Sequence, residues 1–164
     1  MVKQVAAKKD SIPAKKECYK LLKENKTPDN IIKHSEVVLR VVLNIIKKLE
    51  KKGIKTDKNL VVSAALLHDM FKHKPNHVSA CEKYLKNKGY AKLAKVVGEH
   101  GLRKLPKSLE SKIMFYADKR VNEDKVVSLE KRFEYLKKRY SIPEKEIGRL
   151  YKFAKKVENE LKGF

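Results

Sequence analysis

The sequence predicts an all-α protein, a compact single-domain bundle of about seven to nine helices. Three observations carry this. Apolar residues recur at spacings of three and four through nearly every segment. Strand-like alternation and hairpin dipeptides such as Asn-Gly are essentially absent. Proline, glycine and capping residues punctuate the chain at short intervals, leaving no linker that would split it.

Each helix follows from local signals. Ser11-Ile12-Pro13 opens a first helix carrying Cys18, Leu21 and Leu22, which Asn25-Lys26 ends. Thr27-Pro28-Asp29 restarts the chain with a capping hydroxyl, a proline at the first helical position and an acid near the positive dipole end. That second helix runs to about Lys52, where Gly53 stops it. Asp57 caps a third, apolar through Leu60, Val61, Ala64, Ala65 and Leu67, ending near Asp69. Lys72 to Asn76 contains Pro75 and reads as a loop. Helices then run from about His77 to Gly89 and from Tyr90 to about Glu99, before a second loop, Gly101 to Lys107. Ser108 caps the helix carrying Asp118, Ser128 caps the next, and Ser141-Ile142-Pro143 starts the last, towards Gly163. Residues 1–12 form a basic N-terminal segment, 13–140 the helical core with the candidate metal ligands, and 141–164 a C-terminal helix packing on that core. Tyr135, Tyr140, Tyr151 and Phe153 recur near this end and fit a packed helical hairpin.

Composition narrows the functional classes. At 164 residues and 41% hydrophobic content the chain can bury a real core. No apolar run approaches the length of a membrane span, and no apolar signal core follows the basic N-terminus. The two cysteines, Cys18 and Cys81, sit apart among apolar neighbours and read as reduced, buried thiols. A cytoplasmic protein is expected, with no membrane partner. The formal net charge of +21 attracts polyanions: nucleotides, RNA and DNA. A solvated lysine-rich surface explains the same number, and no nucleic-acid-binding motif decides between them.

The histidines are more informative. There are five, and four lie on apolar helix faces. His34 shares a stripe with Ile31, Val38, Val41 and Ile45; His68 follows Val61, Ala64 and Ala65; His77 leads Ala80, Cys81, Tyr84 and Leu85; His100 follows Leu93, Val96 and Val97. Asp118 shares a face with Met114 and Val121. Five helices thus aim a metal-capable group inward. One buried histidine is usually a hydrogen-bonded core residue. Five separate buried polar groups, each costing several kcal/mol if unpartnered (~2–7), call for a common explanation, and a shared metal centre supplies one. Adjacent helical residues point about 100° apart, so His68 and Asp69 both reach one site only at a helix terminus. Imidazole and carboxylate together suit manganese, iron, nickel, cobalt or zinc better than magnesium or calcium.

The order His34, His68-Asp69, Asp118 resembles the HD-domain superfamily of metal-dependent phosphohydrolases. Ala64-Ala65-Leu66-Leu67-His68-Asp69-Met70-Phe71-Lys72 is similar to the signature segment of its HDIG-type branch, with Met70-Phe71 in place of the usual Ile-Gly. Tyr116-Ala117-Asp118-Lys119-Arg120 resembles the closing aspartate motif, and the similarity spans roughly residues 14 to 140. The resemblance implies an all-helical core with a metal held by His34, His68, Asp69 and Asp118. In dinuclear members two more histidines fall between the His-Asp pair and the last aspartate, positions that His77 and His100 match. One or two divalent metals per chain are therefore expected, with Asp69 as the bridge. His73 competes with His77, but it lies in a lysine-rich loop with no apolar stripe.

The expected chemistry is hydrolysis of a phosphate mono- or diester of a small nucleotide by a metal-activated water. Asp69 and Lys72 are the candidate catalytic residues. Lys72, Lys119 and Arg120 are the candidate phosphate-binding cations, with Arg103 and Lys104 behind them. There is no Gly-x-Ser-x-Gly elbow and no Gly-rich phosphate loop. The alternative is a nucleic-acid-binding or regulatory module with a mainly structural metal site.

Overall fold

The computed structural model describes residues 10–163, so most of the basic N-terminal segment lies outside the described residues. Among these, the chain forms eight helices: α1 (Lys15–Glu24), α2 (Asp29–Lys51), α3 (Lys58–Leu67), α4 (His77–Asn87), α5 (Ala91–Gly98), α6 (Leu109–Lys119), α7 (Leu129–Tyr140) and α8 (Glu144–Gly163). The all-α expectation holds. No helix is long and apolar enough to cross a membrane among the described residues.

Three helices start where side-chain caps were expected. Asp57 accepts from the Leu60 N–H, Ser108 from Ser111 and Ser128 from Lys131, each satisfying a donor that has no partner within its helix. Gly53, at φ +76°, ends α2, and Ile54 N–H reaches back to the Leu49 carbonyl. Thr27 departs from expectation. Its hydroxyl does not cap α2; it donates to the Met70 carbonyl at 3.1 Å, tying the start of α2 to the turn after α3.

The near-absence of strands needs one correction. β1 (Val121–Asn122) and β2 (Lys125–Val126) form a two-stranded antiparallel ribbon, with Val121 opposite Val126 and Asn122 opposite Lys125. Two residues per strand are too few for alternation to register in the sequence. The ribbon is anchored from outside itself: Arg120 Nε donates to the Val127 carbonyl, and His34 Nδ1 donates to that of Glu123.

The α3 helix lies at the centre, against α1, α2, α5 and α6. It is apolar all round, as a helix buried on every side must be: Leu60 to Leu67 is buried apart from Val62. Val38, Val42, Leu93, Val97, Ile113, Met114 and Phe115 complete the surrounding core. The α8 helix packs on α6 and α7, with edge-to-face ring pairs Phe115–Phe153 and Phe133–Tyr151, each 5.5 Å between centroids. Burying α3 on all sides fixes its C-terminal end, and that end carries His68 and Asp69.

Candidate metal centre

Five elements converge on one buried point. The α2 helix contributes His34; the C-terminus of α3 contributes His68 and Asp69; α4 begins with His77; His100 follows α5; α6 ends beside Asp118. His34, His68, Asp69, His100 and Asp118 are each at most 4% exposed, while the His77 side chain is partly open at 23%. One ligand atom from each of His34, His68, Asp69 and Asp118 lies within 4.8 Å of the others, a spacing suited to ligands around a single cation.

The ring nitrogens reveal what the site requires. His34 Nδ1 lies 2.6 Å from the Glu123 carbonyl, His68 Nδ1 lies 2.8 Å from that of Ala65, and His100 Nδ1 faces that of Val97. A carbonyl can only accept, so each Nδ1 carries the proton and each neutral ring leaves Nε2 as a lone pair. Those lone pairs face carboxylate oxygens. His34 Nε2 is 3.2 Å from Asp118 Oδ1 and 3.5 Å from Asp69 Oδ2. His68 Nε2 is 3.3 Å and 3.5 Å from the same two atoms and has no hydrogen-bond partner. Acceptor opposed to acceptor in a buried pocket is repulsive unless a cation lies between them. Protonating every ring instead would bury several positive charges together. The donor set therefore fits divalent metal binding.

Asp69 occupies the middle. Its Oδ2 faces His34 and His68, whereas Oδ1 faces His77 at 3.6 Å and His100 at 3.5 Å. Burial alone would raise its pKa, but it is held well below the usual carboxylate range, with the Lys72 ammonium 2.9 Å away contributing positive charge. Burial acts likewise on Asp118, and the Lys119 ammonium at 2.7 Å leads what overcomes it. Both carboxylates are charged at neutral pH.

The other expected site residues divide. Lys72 joins the site: its ammonium is 2.9 Å from Asp69 Oδ2 and borders a cleft of about 760 Å³ beside the histidines. Lys119 is buried beneath the centre, donating to Asp118 Oδ2 at 2.7 Å and the His100 carbonyl at 2.9 Å. It braces the candidate ligands and does not line the cleft. Arg120 turns away, its Nη1 donating to the Tyr116 hydroxyl and its Nε to Val127. Lys104 pairs with Glu82, Arg103 is exposed, and neither reaches the cleft. His73 is exposed on the turn before α4, so His77 takes the inward position.

One cleft residue escaped the sequence reading. Arg132, on α7, is 5% exposed and lines the cleft with His34, Lys72 and His77. The signal was present: it shares an apolar stripe with Leu129 and Leu136, three residues before and four after.

The HD domain family matches residues 31–123, a stretch that holds every candidate ligand from His34 to Asp118. A tRNA (cytidine(56)-2'-O)-methyltransferase from Picrophilus torridus is 29% identical over 138 residues, covering 72% of this chain. The chain spans 39% of that relative's length. No solved structure matches.

Proposed function

The chain belongs to the HD domain family, and from that premise we propose that it is a metal-dependent phosphohydrolase cleaving a phosphate mono- or diester of a nucleotide. The observation that carries this is the arrangement of four imidazole Nε2 atoms around the two oxygens of Asp69. A structural zinc site is normally complete with four ligands. Six candidate ligands with a cleft against them suit a site that also takes a substrate.

In this reading His34, His68, Asp69 and Asp118 would hold one divalent ion, and His77 and His100, with Asp69, would hold a second. Manganese, iron, nickel, cobalt and zinc all suit the set. When bound, such ions supply Lewis acidity and lower the pKa of water from ~16 towards ~7. The chain's own residues do the rest. The backbone carbonyls of Glu123, Ala65 and Val97 hold three rings in the ligating tautomer. Lys119 fixes the orientation of Asp118. Lys72 neutralises Asp69 and presents its ammonium to the cleft, where a phosphoryl oxygen gains charge.

Elemental analysis of untagged protein purified without chelator tests this, followed by a nucleotide hydrolysis screen. About two transition-metal ions per chain is the expected result. One ion would leave His77 and His100 to contact substrate. No metal, with no uptake of manganese, iron, nickel or zinc, would overturn the proposal. A second reading, an RNA-binding module with a structural metal, draws on the +21 charge and on the tRNA named in the relative's activity. Binding to RNA that survives high salt would favour it. Weak binding that falls steeply with salt would reflect only a cationic surface.

A further inference from the structure

We infer that Arg132 is the anchor for a terminal, dianionic phosphate, so that the substrate is a phosphate monoester; this rests on the phosphohydrolase reading above. Arginine is almost never buried without a partner. Arg132 nevertheless has no carboxylate paired with it among the described residues. Its Nη1 donates to Asn122 Oδ1 at 3.0 Å, and its Nε has no acceptor. The Tyr135 ring, 5.6 Å from Cζ, offers the charge only a weak neutral contact.

The geometry of what remains is specific. With Nη1 held by Asn122, two donors of the guanidinium keep no protein partner among the described residues: Nε, itself shut off from solvent, and Nη2, which is left to meet an anion in the cleft. The neighbours are also cations: Lys72 and Lys119 both feel the guanidinium as a like charge. An acidic side chain from the protein would have completed an ion pair here. The fold supplies an amide oxygen instead and leaves the charge for a ligand.

Charge selects the ligand's form. Lys72, Lys119 and Arg132 outnumber Asp69 and Asp118 at the centre before any divalent ion is added. The cleft walls continue the bias, with Lys33, Lys72, Lys74, Arg132 and Arg139 against Glu123 and Asp124. A monoester carries about two negative charges at neutral pH and three non-bridging oxygens, one more of each than a diester. Arg132 takes one of those oxygens and leaves the others towards Lys72 and the candidate metal ligands.

Calorimetric titration of the metal-loaded protein with inorganic phosphate and with dimethyl phosphate tests this, alongside turnover of p-nitrophenyl phosphate. Wild type should bind inorganic phosphate at least tenfold more tightly than dimethyl phosphate. Losing a charge-assisted hydrogen bond should weaken phosphate binding about 10- to 100-fold in R132Q, and KM should rise more than kcat falls. R132K keeps the buried cation and carries the test should R132Q not fold; it should lose most of the same affinity, because one ammonium cannot hold Asn122 and reach the phosphate as the guanidinium fork does. R40Q, an equal charge change on the exposed face of α2, should bind as wild type. Unchanged phosphate affinity in folded Arg132 variants, or equal affinity for dimethyl phosphate, would overturn the inference. Phosphate binding lost in the Arg132 variants, with no ester hydrolysed by wild type, would keep the anchor and overturn the hydrolase reading instead.

Discussion

Replacing Lys119 with methionine separates a brace from a substrate contact. Lys119 is 3% exposed, and its ammonium lies 2.7 Å from Asp118 Oδ2 and 4.8 Å from the centroid of the Phe115 ring. Methionine keeps the packing volume and removes the charge, leaving Asp118 as a buried carboxylate short of its strongest cation. Breaking one side of a buried ion pair costs about 3–5 kcal/mol. For a chain of this length each kcal/mol is worth about 2–4 °C, so the melting temperature should fall by about 6–20 °C in chelator. A divalent ion on Asp118 replaces the missing charge, so the deficit should narrow when manganese is added. Thermal unfolding followed by circular dichroism, with and without metal, reads both quantities. A fall below about 2 °C in chelator, or the same fall in both conditions, would refute the reasoning. A raised KM at unchanged melting temperature would instead return Lys119 to the phosphate-binding role expected from the sequence.

Three further outcomes are expected. H77A should retain about one metal ion where wild type holds about two, read by elemental analysis; an unchanged count would remove His77 from the ligand set. Glu158 would be raised by burial, but Lys155, Tyr116 and Lys162 hold it at about 2, against an ordinary value of 4.5. A depressed carboxyl stabilises the fold above about pH 4.5, and that stability is lost as pH falls towards 2. E158Q should therefore show a shallower acid loss in denaturant melts, and parallel curves would contradict the assignment. Cys18 and Cys81 are fully buried, and burial raises both thiol pKa values. Neither should react with a thiol reagent until the protein is unfolded, and prompt reaction in native buffer would contradict this burial.

What the sequence disclosed and what it hid divide along physical lines. Asp57, Ser108 and Ser128 were legible as caps because the hydrogen bond that selects them closes within three residues. His34, His68, His77, His100 and Asp118 were legible because a polar group on an apolar stripe is an anomaly that periodicity exposes. Thr27 was not, since its partner, the Met70 carbonyl, is 43 residues away. Lys119 and Arg120 are adjacent basic residues beside the same aspartate, yet one faces the centre and the other the α6–α8 surface. Only the end of α6 and the ribbon beyond it decide which. Arg132 sat among so many lysines and arginines that its place on the Leu129–Leu136 stripe was masked by composition.

The small ribbon has a consequence for how this molecule can change. The Glu123 carbonyl at its turn holds His34, and Asn122 in its first strand holds Arg132. The candidate ligands all lie within residues 31–123, whereas Arg132, Tyr135, Arg139 and Tyr140, which also line the cleft, lie beyond them. On the proposed reading, the candidate metal ligands and the candidate phosphate anchor fall in two successive passages of the chain, with the ribbon as a clasp between them. A descendant that kept the clasp could rewrite the second passage and acquire a different substrate, with the first left intact.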